Sequence, residues 1–185
     1  MALTESTMLP LGTKAPDFNL PDTVSGKMVR LDDVKSELAT VVIFSCNHCP
    51  YVIHVNDEIV RIAKEYQEAG VAFVAISCND VERYPQDSPE KMTIFAKESG
   101  YTFPYLYDET QEIAKAYDAA CTPDFYVFDG KMNLVYRGQM DASRPESDIP
   151  VTGEDLRNAL DAVLVGRPIN PSQRPSAGCG IKWRS

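Results

Sequence analysis

A chain of 185 residues is most simply one domain, long enough to bury a core of its own. Its 44% hydrophobic and 24% charged residues are ordinary for a soluble globular protein, and a net charge of −9 argues against nucleic acid or an anionic membrane as partner. The opening Met-Ala-Leu-Thr-Glu-Ser-Thr has neither a basic region nor an apolar stretch, and no apolar run approaches a membrane span, so a cytoplasmic protein is expected.

From Leu11 the chain reads as a loop leading into a short strand, Phe18 to Leu20, then a turn at Pro21 to Lys27 and a second strand, Met28 to Leu31. Leu31 to Val34 looks like a brief helical turn. Val41 to Phe44 is apolar and β-branched, as a buried strand requires. Between Tyr51 and Ala69, the residues Val52, Val55, Ile59, Ile62, Ala63 and Tyr66 recur at helical spacing, with Gly70 as the stop. Val71 to Ser77 is the natural parallel partner of the first buried strand through a right-handed crossover.

Asn79 to Pro89 is a polar excursion. Ser88 can cap a helix from Pro89 to Ser99 whose apolar face carries Met92, Phe95 and Ala96. Thr102 to Tyr107 is strand-like, and Glu109 to Tyr117 reads as helix. Phe125 to Phe128 and Leu134 to Gln139 make an antiparallel pair across an Asp129-Gly130 turn. A last helix runs from Thr152 to about Val165, and the tail from Gly166 to Ser185, with three prolines and three glycines, reads as extended. Alternating β and α followed by an antiparallel pair predicts an α/β protein with a mixed central β-sheet flanked by helices.

The chemistry centres on Cys46 and Cys49, which lie between a strand and a helix, the setting in which Cys-x-x-Cys reads as a redox dithiol. At that spacing the two sulfurs can close a small disulfide ring. The helix start beside Cys46 favours thiolate over thiol. A zinc site would need a second ligand pair, and Cys78, Cys121 and Cys179 are scattered; a haem attachment needs His where Pro50 stands. Neither metal nor cofactor is expected. A purely structural disulfide does not suit a reducing compartment, and five cysteines cannot all pair.

Taken together these residues resemble the thioredoxin superfamily. Within it they resemble the branch that combines alkyl hydroperoxide reductase/thiol-specific antioxidant (AhpC/TSA) features with a thioredoxin-type Cys-x-x-Cys. Gly12-Thr-Lys-Ala-Pro16-Asp-Phe18 is similar to the opening of peroxiredoxins and of cytochrome-maturation thiol reductases, and Cys46-Asn-His-Cys49-Pro50 to the active site. Cys121-Thr122-Pro123 resembles the loop whose proline is cis in thioredoxins and lies against the dithiol, although Thr-Pro also suits the approach to any strand. Gly178-Cys-Gly-Ile-Lys-Trp183 resembles the tail of a peroxiredoxin-like subgroup. The resemblance implies a thioredoxin-like domain over residues 10–165, with an N-terminal β-hairpin extension and an extended tail over 166–185. It also implies that the Thr122 backbone pairs with a bound peptide or partner thiol.

Two mechanisms compete within that resemblance. In the thioredoxin-like one, an exposed Cys46 attacks a substrate disulfide and Cys49 resolves it, in cell redox homeostasis. In the peroxiredoxin-like alternative, Cys49 is the peroxidatic cysteine, resolved by Cys46, Cys121 or Cys179. The partners are protein or small-molecule disulfides, peroxides in the alternative, and an unidentified thiol reductant.

The chain departs from both patterns. Cys46 replaces the peroxiredoxin threonine, and no arginine stands before the Phe125 strand, Arg137 and Arg144 being the nearest in sequence. Thr40 holds the place of thioredoxin's buried aspartate, which leaves the general acid/base role unassigned. His48 sits where protein disulfide isomerases have a histidine that stabilises the thiolate, but equally reads as a solvated turn residue, and His54 reads as a satisfied helix-face histidine. A copper carrier of this fold would space its cysteines one residue further apart and add a histidine beyond His54. Cys78 reads as a buried small hydrophobe, and Cys121 and Cys179 as additional redox thiols or bystanders. The acidic Asp80 to Asp87 stretch is read as bordering the site and selecting partners.

Overall fold

The computed structural model describes residues 3–185; Met1 and Ala2, where the leader reading begins, lie outside it. In chain order the first elements are β1 (Leu3–Glu5), β2 (Asn19–Pro21), β3 (Met28–Arg30), α1 (Leu31–Val34), β4 (Ala39–Phe44), α2 (Pro50–Glu68) and β5 (Val71–Ser77). There follow α3 (Pro89–Ser99), β6 (Tyr105–Tyr107), α4 (Glu112–Ala116), β7 (Cys121–Thr122), β8 (Asp124–Asp129), β9 (Leu134–Gly138), α5 (Glu154–Leu164) and β10 (Ala177–Gly180).

The main sheet runs β6-β5-β4-β8-β9. β4 is its centre, parallel to β5 from Ala39↔Val71 to Phe44↔Ile76 and antiparallel to β8 from Ala39↔Asp129 to Phe44↔Asp124. Every β4 residue is buried, because both faces of the strand are covered. Alternation sends Val41 and Ile43 to one face, with Ile59 and Ile62 of α2 and Leu160 of α5. Val42 and Phe44 go to the other, with Tyr117, Tyr126 and Phe128. This is the expected mixed, helix-flanked sheet, and β2 and β3 form the expected N-terminal hairpin. No helix among the described residues is long and apolar enough to cross a membrane.

Ser88 caps α3 as its sequence position suggests, its Oγ accepting from the Lys91 N–H at 3.3 Å. Two helices are shorter than read. α4 waits until Glu112 because Gln111 is left-handed, with φ 66°, and spends its amide on the Cys78 and Lys182 carbonyls. α5 waits until Glu154 because Asp141 Oδ2 takes the N–H groups of Thr152 and Gly153 before the helix begins.

The tail is extended, as read, but it is not loose. β10 is the middle strand of a second sheet, β1-β10-β7, which lays the tail between β1 and Thr122. β1, β7 and β10 were not anticipated.

Candidate active site

β4 ends at Phe44 and α2 begins at Pro50, so residues 45–49 form the loop at the carboxyl edge of the central strand. The Ser45 N–H donates to the Ile76 carbonyl at 2.9 Å and fixes where the loop leaves the sheet. Cys49 is the N-cap of α2 and Pro50 its first residue, where a missing N–H costs nothing. The Thr122–Pro123 bond is cis. Cys46 Sγ lies 3.5 Å from Thr122 Oγ1, and Cys49 Sγ lies 3.5 Å from the Thr122 carbonyl oxygen. Cys46, Cys49, Pro50, Thr122 and Pro123 are therefore brought together.

One of the pairings open to Cys49 is present, and two expectations about Cys46 are corrected. Cys49 is joined in a disulfide to Cys179, Cα to Cα 6.3 Å, and not to Cys46. Cys46 is a free thiol but no exposed nucleophile, being 1% accessible. Nor does the helix start make it a ready thiolate, for its pKa is pushed up to about 11. Burial is the chief cause and the charge of Asp87 the second; the Thr122 hydroxyl and the backbone N–H groups of Cys49 and His48 oppose them without prevailing.

Cys179 lies in the cluster with Cys46, Cys49 and Val52. Cys121 does not. It is buried with Sγ 3.8 Å from the Pro123 carbonyl and 3.9 Å from that of Ser176, and burial pushes its thiol pKa up. Cys78 is a buried thiol in the core on the other face of the sheet.

The residue that the sequence reasoning missed is Asp87, fully buried at the end of the polar excursion. Its Oδ1 accepts from the Asn47 N–H at 2.8 Å and its Oδ2 from the Asn79 side chain at 2.9 Å. His48 Nδ1 lies 2.7 Å from Oδ2, and the imidazole stacks on Tyr84 with 7° between the planes. His48 is thus seated on a carboxylate and not loose on a turn, and the excursion does border the site. Its one signal was position, an acidic residue just before the Ser88-Pro89 helix start. His54 is satisfied elsewhere, with Nε2 2.8 Å from Ser143 Oγ.

Cys46 Sγ, a His48 ring nitrogen and an Asp87 oxygen lie within 4.8 Å of one another. A metal there would have three protein donors, and both Asp87 oxygens are already held by N–H groups. Arg137 spends its guanidinium on the Leu9 carbonyl and Gln173, and Arg144 on the Asp141 and Ser143 carbonyls and Gln139, so neither is committed to the cysteines. A groove of about 640 Å³ between α5 and residues 167–174 has no cysteine in its lining.

The model of the AhpC/TSA family matches residues 11–137. The chain is 27% identical over 164 residues to the thiol-disulfide oxidoreductase ResA of Geobacillus thermodenitrificans, covering 86% of this chain and 82% of the relative. The crystal structure of an uncharacterized conserved protein from Geobacillus kaustophilus is 61% identical, with a TM-score of 0.98 over 100% of this chain and 97% of that one. The crystal structure of the peroxidoxin BcpB from Mycobacterium tuberculosis, at 20% identity and a TM-score of 0.62 over 85% of this chain and 97% of that one, shares the thioredoxin-like fold.

Proposed function

The chain belongs to the AhpC/TSA family, and from that premise we propose that it exchanges thiols and disulfides through Cys46 and Cys49. One observation carries the reading: three cysteines, two of them bonded and one free, meet in a single buried cluster beside the Thr122 strand edge. That is the arrangement a mixed disulfide and its resolving thiol require.

Cys49 is as buried as Cys46, but the sulfur covering it belongs to the tail strand and can leave with it, so we assign Cys49 the attack on the partner disulfide, reversing the order favoured from the sequence. Cys46 then attacks the Cys49 sulfur, the partner leaves as a thiol, and Cys46–Cys49 remains for an external thiol to reduce. Cys46 must shed its proton to do so. His48, seated on Asp87 beside the sulfur, is assigned that transfer. Substrates are protein or small-molecule disulfides. The cytoplasmic setting belongs to the same proposal and makes Cys49–Cys179 a transient bond, not a structural one.

A thiol peroxidase is the second reading, because Cys49–Cys179 is also the bond that a peroxide-oxidised Cys49 would form with loss of water. Against it stand the missing hydroxyl at position 46 and the two committed arginines.

Insulin reduction and hydrogen peroxide consumption, measured side by side, separate the two. Disulfide exchange predicts that Cys49→Ser loses insulin reduction by about 10³-fold, that Cys46→Ser stalls as a mixed disulfide, and that all forms consume peroxide slowly. Rapid sulfenic acid formation at Cys49 in Cys46→Ser would instead establish the peroxidase. Undiminished insulin reduction by Cys49→Ser would remove both readings.

A further inference from the structure

Thr122 was expected to pair its backbone with a bound peptide. That place is taken by the chain's own tail. β10 runs antiparallel to β7 with Cys179 opposite Thr122 and Gly180 opposite Cys121. The approach is close enough to demand glycine: a Cβ on Gly178 would stand 2.0 Å from the Thr122 carbonyl oxygen. Beyond the cysteine, the Ile181 N–H donates to the Ala120 carbonyl at 3.0 Å and its side chain is buried. The Lys182 ammonium lies 5.7 Å from the Tyr84 ring centroid, and Arg184 lies 3.6 Å from Asp80. The segment is held as an extended peptide with a cysteine between small residues, then an apolar and a basic position.

We propose that residues 176–184 are a tethered substrate, which docks on the Thr122 edge, delivers Cys179 to Cys49, and gives way to partner segments of the same form. This rests on the reading of Cys46 and Cys49 as the redox pair. The internal step is one exchange: the Cys46 thiolate attacks the Cys49 sulfur, and the Cys46–Cys49 bond forms as Cys49–Cys179 breaks. The electron pair leaves on Cys179, which takes up the proton that Cys46 gave up. Nothing is oxidised or reduced overall, so no outside reagent is needed. Once freed, the tail remains a tethered competitor, and tethering gives it an effective concentration in the millimolar range.

The test uses the full chain and a probe peptide, Ser-Ala-Gly-Cys-Gly-Ile-Lys-Trp, whose cysteine carries glutathione as a mixed disulfide. Cys179→Ser is expected to reduce the probe about tenfold faster than wild type, the tethered competitor having been weakened. It should also prefer the probe by about tenfold over the same peptide with Val before the cysteine. Gly178→Val, which keeps every cysteine, should match Cys179→Ser; acid trapping and peptide mapping should find Cys49–Cys179 in wild type and not in this variant. Equal probe rates in wild type and Cys179→Ser, or no preference between peptides, would overturn the proposal. Reduction of glutathione disulfide by the same proteins separates the two levels. If Cys49→Ser still turns it over, the reading of the redox pair has failed; if only the probe comparisons come out flat, the tethered substrate alone has failed.

Discussion

The five-stranded sheet is held by side chains, whereas β1-β10-β7 is held by main chain, glycine and one sulfur bond. In the first, Phe44, Tyr117, Tyr126 and Phe128 pack edge to face or tilted, ring centres 5.5 to 6.1 Å apart, and bury a continuous apolar layer. In the second the paired residues are Leu3 to Glu5, Cys121, Thr122 and Ala177 to Gly180, with little apolar bulk to bury. Stability is concentrated where contacts are many and cooperative, and opening is cheapest where they are few. The Cys49–Cys179 bond sits at the second kind of place. On the proposal that the tail strand comes and goes, backbone pairing suits it better than interlocked aromatics would.

The sharpest way to break this contrast is to damage the large sheet and watch the site. Phe128→Ala should cost about 4 kcal/mol in chemical denaturation, while insulin reduction per folded molecule stays at the wild-type level. If Gly178→Val cost as much stability, the two sheets would not differ in kind.

Asp124 tests the joint between the sheets. It opens β8 directly after Pro123 and accepts from Ser6 Oγ at 2.8 Å and from the Tyr126 hydroxyl at 3.2 Å, and burial pushes its carboxyl pKa up to about 7. The unfolded carboxyl titrates near 4, so between about pH 4 and 7 the folded chain keeps a proton that the unfolded chain gives up. Stability should therefore fall as pH rises through that window and level off above it. Denaturation midpoints across pH should show this slope in wild type and lose it in Asp124→Asn.

A smaller effect is expected at Asp87. Its charge helps hold the Cys46 thiol near 11, so opening of Cys49–Cys179 should speed up as pH rises toward that value. Asp87→Asn should move this limb to lower pH in acid-trapping time courses, at about 1 kcal/mol or somewhat more in stability for the disturbed N–H partners. An unmoved limb would leave Asp87 a purely structural anchor for Asn47. Smallest of all, His54→Gln should leave insulin reduction unchanged and cost under about 1 kcal/mol, because among the described residues the hydrogen bond His54 makes is to Ser143, away from the cysteines.

What the sequence revealed follows the same division. β4, α2, β5 and α3 were legible because their apolar periodicity spans several residues, and Ser88 and Pro89 mark a helix start by local chemistry. β7 has two residues and β10 four, and Ala-Gly-Cys-Gly carries no alternation; their pairing is a tertiary fact. Cys46, Cys49 and the Thr122-Pro123 loop were recognisable by resemblance. The Cys49–Cys179 bond, 130 residues apart in sequence, could be named only as one option among several. The thiolate argument at Cys46 failed because it counted the helix end and could not see burial or Asp87.

Asn79 joins the two halves of this picture in a single amide. Its Oδ1 accepts from the Lys182 N–H at 2.9 Å, and its Nδ2 donates to Asp87 at 2.9 Å. When the tail lifts away, the oxygen loses its donor while the nitrogen still faces the carboxylate under Cys46, so departure at the surface is felt at the buried charge. Asn79 is in this sense a gauge with a peptide on one terminal and an electrostatic potential on the other. On the proposal that the tail is displaced, the Asn79 side-chain amide resonance should report the fraction of molecules in which the edge at Thr122 is taken.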